Sequence, residues 1–224
     1  MSLKAECEAV IKQFTNDVPQ EVMDSLTGFI GRLVESGLAE NAINVGDKAP
    51  EFNLPDIHGK QTKLSDLLEQ GPVVINYYRG GWCPFCSLEL KAYQNLLPEI
   101  KAAGGILVGI SPEAPDHSLS TAEKFALEFV VLSDWSNDVA GKYGLVFELE
   151  PAIREIYTSF GFELPKINGD DSWTLPIPAV YVVDQDGTVV WADVNANYTE
   201  RAEPADVLQA LKELSSDNAQ KATA

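Results

Sequence analysis

The chain is short of cysteine, histidine, methionine and positive charge. It holds three cysteines, two histidines and two methionines in 224 residues. Three cysteines, an odd number with one close pair, do not make the disulfide framework of a small secreted domain. Lys and Arg number 16 against 34 Asp and Glu, a net charge of −18. Such a surface repels phosphates, so neither nucleic acid nor an anionic membrane is an expected partner. No apolar stretch approaches the ~18–20 residues needed to span a bilayer. The opening Met1-Ser2-Leu3-Lys4-Ala5-Glu6-Cys7-Glu8 has no apolar core for export. A cytoplasmic protein is expected. There are no internal repeats. At 45% hydrophobic the chain has the material for one sizeable domain with extensions.

What is present is concentrated in one stretch, Gly80-Gly81-Trp82-Cys83-Pro84-Phe85-Cys86-Ser87-Leu88-Glu89-Leu90. The run Val73-Val74-Ile75-Asn76-Tyr77-Tyr78 leads into it. That run is short, partly β-branched and bounded by Gly71-Pro72, so it reads as a buried strand over 73–78. After Cys83 a helical pattern places Leu88, Ala92, Leu96 and Ile100 on one face. The two cysteines therefore fall where a central strand ends and a helix begins. Orphan N–H groups and about half a positive charge gather at a helix N-terminus, and both favour a thiolate. Pro84 suits the first helical position. The thiolate is the nucleophilic form of cysteine, so a lowered pKa makes it reactive. C-x-x-C spacing lets one sulfur resolve a disulfide or sulfenic acid formed on the other. Trp82 is placed to shield one side of the pair.

Two blander readings stand beside the redox one. C-x-x-C can be half of a zinc site, with Cys7, His58 and His117 as the remaining soft ligands; none of these forms a second close pair. Buried cysteines can also be plain core residues. His58 sits beside a turn glycine, and His117 lies in the polar Asp116-His117-Ser118, so both are expected to be exposed. No metal and no organic cofactor is expected.

Trp82-Cys83-Pro84-Phe85-Cys86 resembles the active site of thioredoxin-fold disulfide oxidoreductases. The surrounding chain resembles the peroxiredoxin family of the AhpC/TSA type, and more narrowly a peroxiredoxin-like branch with a C-x-x-C. Gly46-Asp47-Lys48-Ala49-Pro50-Glu51-Phe52-Asn53-Leu54-Pro55-Asp56 is similar to that family's opening segment. Leu107-Val108-Gly109-Ile110-Ser111, Leu132-Ser133-Asp134, Tyr143-Gly144-Leu145 and Tyr181-Val182-Val183-Asp184-Gln185-Asp186-Gly187 follow in the family's order. The likeness runs from about Gly46 to about Leu214. The two resemblances imply different roles. On the peroxiredoxin spacing P-x-x-x-T-x-x-C, Cys86 takes the peroxidatic position, Glu89 the Glu three residues later, Cys83 the Thr, Arg79 the Pro and Tyr78 the preceding Tyr. On the thioredoxin pattern, Cys83 attacks and Cys86 resolves. The peroxiredoxin Arg before a late strand is replaced here by Pro178. Ile177-Pro178-Ala179 is similar to the cis-proline loop of thioredoxins. Arg79 and Arg154 are then the candidate substitutes for the missing Arg.

Residues 1–45 read as a helical extension. Leu3, Cys7, Val10, Ile11 and Phe14 recur at helical spacing. Asn16-Asp17-Val18-Pro19 breaks the pattern. Val22, Met23, Leu26, Phe29, Ile30, Leu33 and Val34 form a second stripe, which serves packing on the chain's own domain, a dimer contact or a cover over the active site. Cys7 reads as packed rather than reactive. Residues 46–214 form the thioredoxin-like domain. Its catalytic helix runs from Pro84 to about Ala103, and Pro98 is expected to kink it or end its first segment. A strand follows from Ile106 to Ser111, in a right-handed β-α-β unit. Residues 162–178 read as a long loop bordering the cysteines. Strands from Ala179 to Val183 and Thr188 to Val194 surround a turn. Pro204 to Leu214 is the last helix, and 215–224 a polar, frayed tail. The fold class is α/β: thioredoxin-like, a mixed central sheet flanked by helices, with the N-terminal helical extension.

The activity these readings imply is a thiol-dependent peroxidase. One thiolate attacks the O–O bond, the other cysteine condenses with the sulfenic acid, and thioredoxin or another thiol reductant restores the pair. The peroxiredoxin spacing favours Cys86 as the attacking residue. A thiol–disulfide oxidoreductase acting on protein disulfides, and a non-catalytic redox-sensing module, are the alternatives.

Overall fold

The computed structural model describes residues 2–223, with side chains described through Ser216. The chain opens with α1 (Leu3–Asp17), α2 (Gln20–Glu35) and α3 (Leu38–Asn41). A hairpin of β1 (Asn53–Pro55) and β2 (Gln61–Lys63), then α4 (Leu64–Leu68), lead to β3 (Val73–Tyr77). Next come α5 (Pro84–Ala102), β4 (Ile106–Ser111), α6 (Pro115–Phe125), β5 (Val130–Ser133) and α7 (Asp138–Lys142). β6 (Val146–Glu148), α8 (Pro151–Ser159), α9 (Leu164–Asn168) and β7 (Thr174–Pro176) follow. β8 (Ala179–Val183), β9 (Val189–Val194) and α10 (Pro204–Thr223) close the chain.

Five strands form one mixed sheet in the order β5-β4-β3-β8-β9. β3 pairs in parallel with β4 and antiparallel with β8. It is wholly buried because helices cover both of its faces, so an unbroken apolar run suits it. Side chains alternate across it. Val73, Ile75 and Tyr77 join the core beneath α4 and α7, while Val74 and Tyr78 join the core with α5 and α10. Tyr77, Tyr143 and Tyr181 stack on the first side with ring centroids 5.0–6.5 Å apart. Cys83 and Cys86 belong to the second side.

The fold class expected from sequence is the one observed, and several element readings are corrected. The strand ends at Tyr77, with Tyr78 just beyond it. α5 buries Cys86, Glu89, Leu90, Tyr93, Leu97 and Ile100, not the Leu88, Ala92, Leu96 stripe. The stripe was taken by apolarity alone, whereas a carboxylate and a thiol hold two of the buried positions. Pro98 lies inside α5 without ending it. It sits on the exposed side, where a carbonyl left without its N–H donor faces water. Residues 162–178 contain α9 and β7, and β7 pairs with β6 through Phe147↔Leu175. A two-stranded ladder with a β6 of three residues is too short to leave a clear period. α10 continues past Leu214 to Thr223, through Ala219, Gln220 and Ala222, which are compatible with a helix despite their polarity; Ala224 lies outside the described residues. His58 is exposed as expected, but His117 is half-buried on α6.

The N-terminal helices pack on their own chain. α2 buries Leu26, Phe29 and Leu33, with Phe29 against Phe147 at 5.9 Å, and leaves Val34 46% exposed. Phe14 of α1 meets Phe160 edge-on at 5.5 Å. The backbone N–H groups of Leu3 and Lys4 donate to the Glu203 carboxylate at 3.1 and 2.9 Å, which ties the start of α1 to the residue before α10.

Candidate active site around Cys83 and Cys86

Gly80 and Gly81 carry the chain from β3 to α5. Gly80 has φ of +144°, and a Cβ there would lie 2.2 Å from Trp82 Nε1. A Cβ on Gly81 would lie 2.1 Å from Thr121 Oγ1. Neither position has room for a side chain. Cys83 is the N-cap of α5 and Pro84 its first helical residue. The Cys83 amide donates to Gly80 O at 3.1 Å, and the Cys83 carbonyl accepts from Ser87 N at 2.9 Å. Both cysteines are reduced and buried, Cys83 at 1% exposure and Cys86 at 0%.

Two buried arginines flank the sulfurs. Arg79 Nη1 approaches Cys83 Sγ at 3.8 Å, and Arg79 Nη2 donates to the Tyr157 hydroxyl. Its guanidinium lies 3.8 Å from the centroid of Tyr198 and 5.1 Å from that of Trp82, so the cation is held between aromatic faces. Arg201 Nη2 approaches Cys86 Sγ at 3.4 Å, and Arg201 Nε donates to Glu89 Oε2 at 3.2 Å. Arg201 also donates to the carbonyls of Tyr198 and Glu200, so its orientation is fixed.

The electrostatics separate the two thiols. Burial alone pushes Cys83 up, but the hydrogen bond from Cys86 and the charges of Arg79 and Arg201 outweigh it and bring Cys83 down to about 5. Cys86 is held well above the ordinary thiol range by burial, by its hydrogen bond to Cys83 and by the Cys83 charge. These neighbours favour the thiolate on Cys83 and the proton on Cys86. Burial also raises Glu89 to about 7 against the pull of Arg201.

Cys83 opens on a cavity of about 280 Å³. Arg79, Trp82, Tyr157, Phe162 and Tyr198 line it from the domain body. Val10 and Phe14 of α1 and Leu26 of α2 line it from the N-terminal helices. Arg79 Nε and Trp82 Nε1 are buried donors without hydrogen-bond partners, on side chains that line this cavity. A buried donor without a partner is costly. A small ligand with oxygen acceptors would relieve that cost.

Among the residues expected from sequence, the structure gathers Cys83, Cys86, Arg79, Trp82 and Glu89 into one site. Tyr78 is buried beside them, in the same core as both cysteines. Arg154 is not part of it. Its hydrogen bonds go to Glu148 and to Leu149 O, and its guanidinium lies 5.6 Å from the Trp173 ring. Charge alone nominated Arg154, and a nearby carboxylate and carbonyl claim it. Pro178 is buried next to β8, and pairing of Ala179 with Tyr77 puts it at the sheet end that bears Arg79. Its peptide bond is trans, as are all those described. Arg201 was missed: it lies 115 residues after Cys86 in a polar loop, and only the fold brings it back. Cys7 is buried as expected, and desolvation raises it to about 11. Among the described residues no group of three or more His, Cys, Asp and Glu side chains is placed to hold a metal ion. No helix described is long and apolar enough to cross a membrane.

Comparison with known proteins identifies the family. Peroxiredoxin Bcp of Escherichia coli K12 is 34% identical over 105 residues, which cover 47% of this chain and 67% of that protein. The chloroplastic peroxiredoxin Q of Populus jackii is 31% identical over 147 residues, covering 66% of this chain and 58% of its own. The crystal structure of peroxidoxin BcpB from Mycobacterium tuberculosis superposes with a TM-score of 0.61 at 23% identity, over 76% of this chain and 97% of that one. The model of the AhpC/TSA family matches residues 45–192. The chain belongs to the AhpC/TSA family, as an oxidoreductase of the peroxiredoxin type, a thiol peroxidase.

Proposed function

We propose that this peroxidase works through the Cys83–Cys86 pair, with Cys83 as the attacking thiolate and Cys86 as the resolving thiol. The observation that carries this is the lowered pKa of Cys83 at the wall of a small cavity lined by Arg79. The Cys83 thiolate attacks one peroxide oxygen, the O–O bond breaks, and the departing alkoxide or hydroxide takes the proton of Cys86, which becomes a thiolate. Cys83 is left as a sulfenic acid. The Cys86 sulfur, as its thiolate, attacks the Cys83 sulfur; the sulfenic oxygen leaves with a proton as water and a disulfide remains. Arg201, 3.4 Å from Cys86 Sγ, favours the thiolate that this second step requires. Two electrons from an external dithiol such as thioredoxin return both cysteines to thiols.

Arg79 Nε and Trp82 Nε1 are the donors available to a bound peroxide. Residues 1–45 act as a cover on the domain of residues 46–214. The attack order differs from the one the peroxiredoxin spacing favours: that spacing assigns positions, whereas the hydrogen bond from Cys86 and the charges of Arg79 and Arg201 lower Cys83.

One equivalent of hydrogen peroxide added to the reduced protein should yield a Cys83–Cys86 disulfide by peptide mass spectrometry, and thioredoxin with its reductase should then sustain turnover. A product that leaves Cys83 and Cys86 unlinked overturns the resolving role. Reduction of insulin disulfides without peroxide turnover favours the oxidoreductase reading instead.

A further inference from the structure

Glu113 is a buried acid outside the roles described so far. It follows β4, is 3% exposed, and takes part in none of the ion pairs among the described residues. Its Oε1 accepts the Gly81 N–H at 3.1 Å, and its Oε2 accepts the Thr121 hydroxyl at 3.2 Å. A buried carboxylate without a cation is expensive, while a glutamine could meet the same donor without a charge. The charge is thus met by the Gly81 amide and by the hydroxyl of Thr121, the residue a Cβ on Gly81 would strike. From Gly81 the connection runs on into the site. Gly80 O accepts from Cys83 N at 3.1 Å, and Gly81 O accepts from Ser87 Oγ of α5 at 3.1 Å.

We propose that Glu113 is a positioning residue of the peroxidase: its carboxylate locks the Gly80–Gly81 turn and so seats Cys83 against Arg79. This rests on the reading of Cys83 as the attacking thiolate. A charge-assisted hydrogen bond is roughly twice as strong as a neutral one, so the ionised acid holds the turn and the protonated acid releases it. Burial raises Glu113 to about 7, opposed by the bonds from Gly81 and Thr121. The ionisable groups that face it are Cys86 from α5 and Tyr78 from the end of β3, and both favour its neutral form or are neutral themselves. The lock therefore closes as pH rises through about 7.

The test is the second-order rate constant for hydrogen peroxide, by stopped flow from pH 4.5 to 9, together with the melting temperature at pH 8.5. Wild type should gain rate in two steps, one as Cys83 ionises and one through about 7. Glu113→Gln should lose the second step, its rate above pH 8 falling several-fold to the wild-type value near pH 6. Its melting temperature should equal or exceed that of wild type, because the ionised acid destabilises the fold above its raised pKa. Thr121→Val keeps the carboxylate but removes one donor, and should move the second step to higher pH. A Glu113→Gln protein that keeps both steps assigns the second to Glu89 and overturns the proposal. So does one that loses rate and melting temperature together, and so does an unmoved step in Thr121→Val. Cys83→Ser, run alongside, separates the two levels: rapid reaction there overturns the nucleophile itself, and this inference with it.

Discussion

At the scale of residues, the site is a pair of thiols made unequal by their neighbours. Of the two charges that lower Cys83, Arg79 acts more strongly than Arg201. Replacing it with Met should raise the midpoint of Cys83 alkylation by about one pH unit or more, since a nearby opposite charge accounts for about 1–3 units. Iodoacetamide kinetics across pH measure this, and an unmoved midpoint would show that Cys86 and Arg201 suffice. The shift also links to stability. The folded pKa of Cys83 is depressed, so its contribution is present above the unfolded thiol value and is lost as pH falls through about 5. The stability difference between reduced wild type and Cys83→Ser should therefore shrink from pH 9 to pH 5, as followed by urea unfolding. Local sequence made Cys83, Cys86, Trp82 and Arg79 legible because they share one strand–turn–helix. Arg201 and Glu113 were not legible: each is a lone charged residue in a polar loop, and its partner lies 115 or 32 residues away.

At the scale of elements, the turn before α5 and the helical cover set access and geometry. Gly81→Ala would force a methyl group to within 2.1 Å of Thr121 Oγ1. Overpacking of that kind costs about 1–3 kcal/mol, and displacement of Cys83 should slow peroxide reaction along with the loss in stability. α1 and α2 close one wall of the cavity, and Glu203 holds the first turn of α1 through two backbone donors. Loss of such a cap costs about 0.5–2 kcal/mol. Glu203→Ala should thus open the cover more often, speeding labelling of Cys83 by a bulky maleimide more than labelling by iodoacetamide. Equal acceleration of both reagents would mean that the cover does not gate access. The stripes on α1 and α2 were readable as amphipathic helices, but an apolar stripe does not state its partner, so a cover stood level with a dimer contact or plain packing until the fold placed Val10, Phe14 and Leu26 on the cavity wall.

At the scale of the whole molecule, the topology concentrates the chemistry. β3 is the central strand, parallel to β4 on one side and antiparallel to β8 on the other. Loops that follow the carboxyl ends of β3 and β4 converge, which is where open α/β sheets place their sites. Glu113 reaches Gly81 across that end, and Arg201 arrives from the segment between β9 and α10. A mixed sheet was legible in the β-α-β unit and the late hairpin, whereas short β6 and β7 were not because neither leaves a period to read. The central claim is that Cys83 is the thiolate that meets peroxide. Anaerobic stopped-flow tryptophan fluorescence of the reduced protein with hydrogen peroxide, comparing wild type, Cys83→Ser and Cys86→Ser, tests it most directly. The account predicts fast reaction in wild type and Cys86→Ser, with the latter halting as a Cys83 sulfenic acid, and only the rate of an ordinary thiol in Cys83→Ser. Fast reaction in Cys83→Ser with none in Cys86→Ser would contradict it and return the peroxidatic role to Cys86.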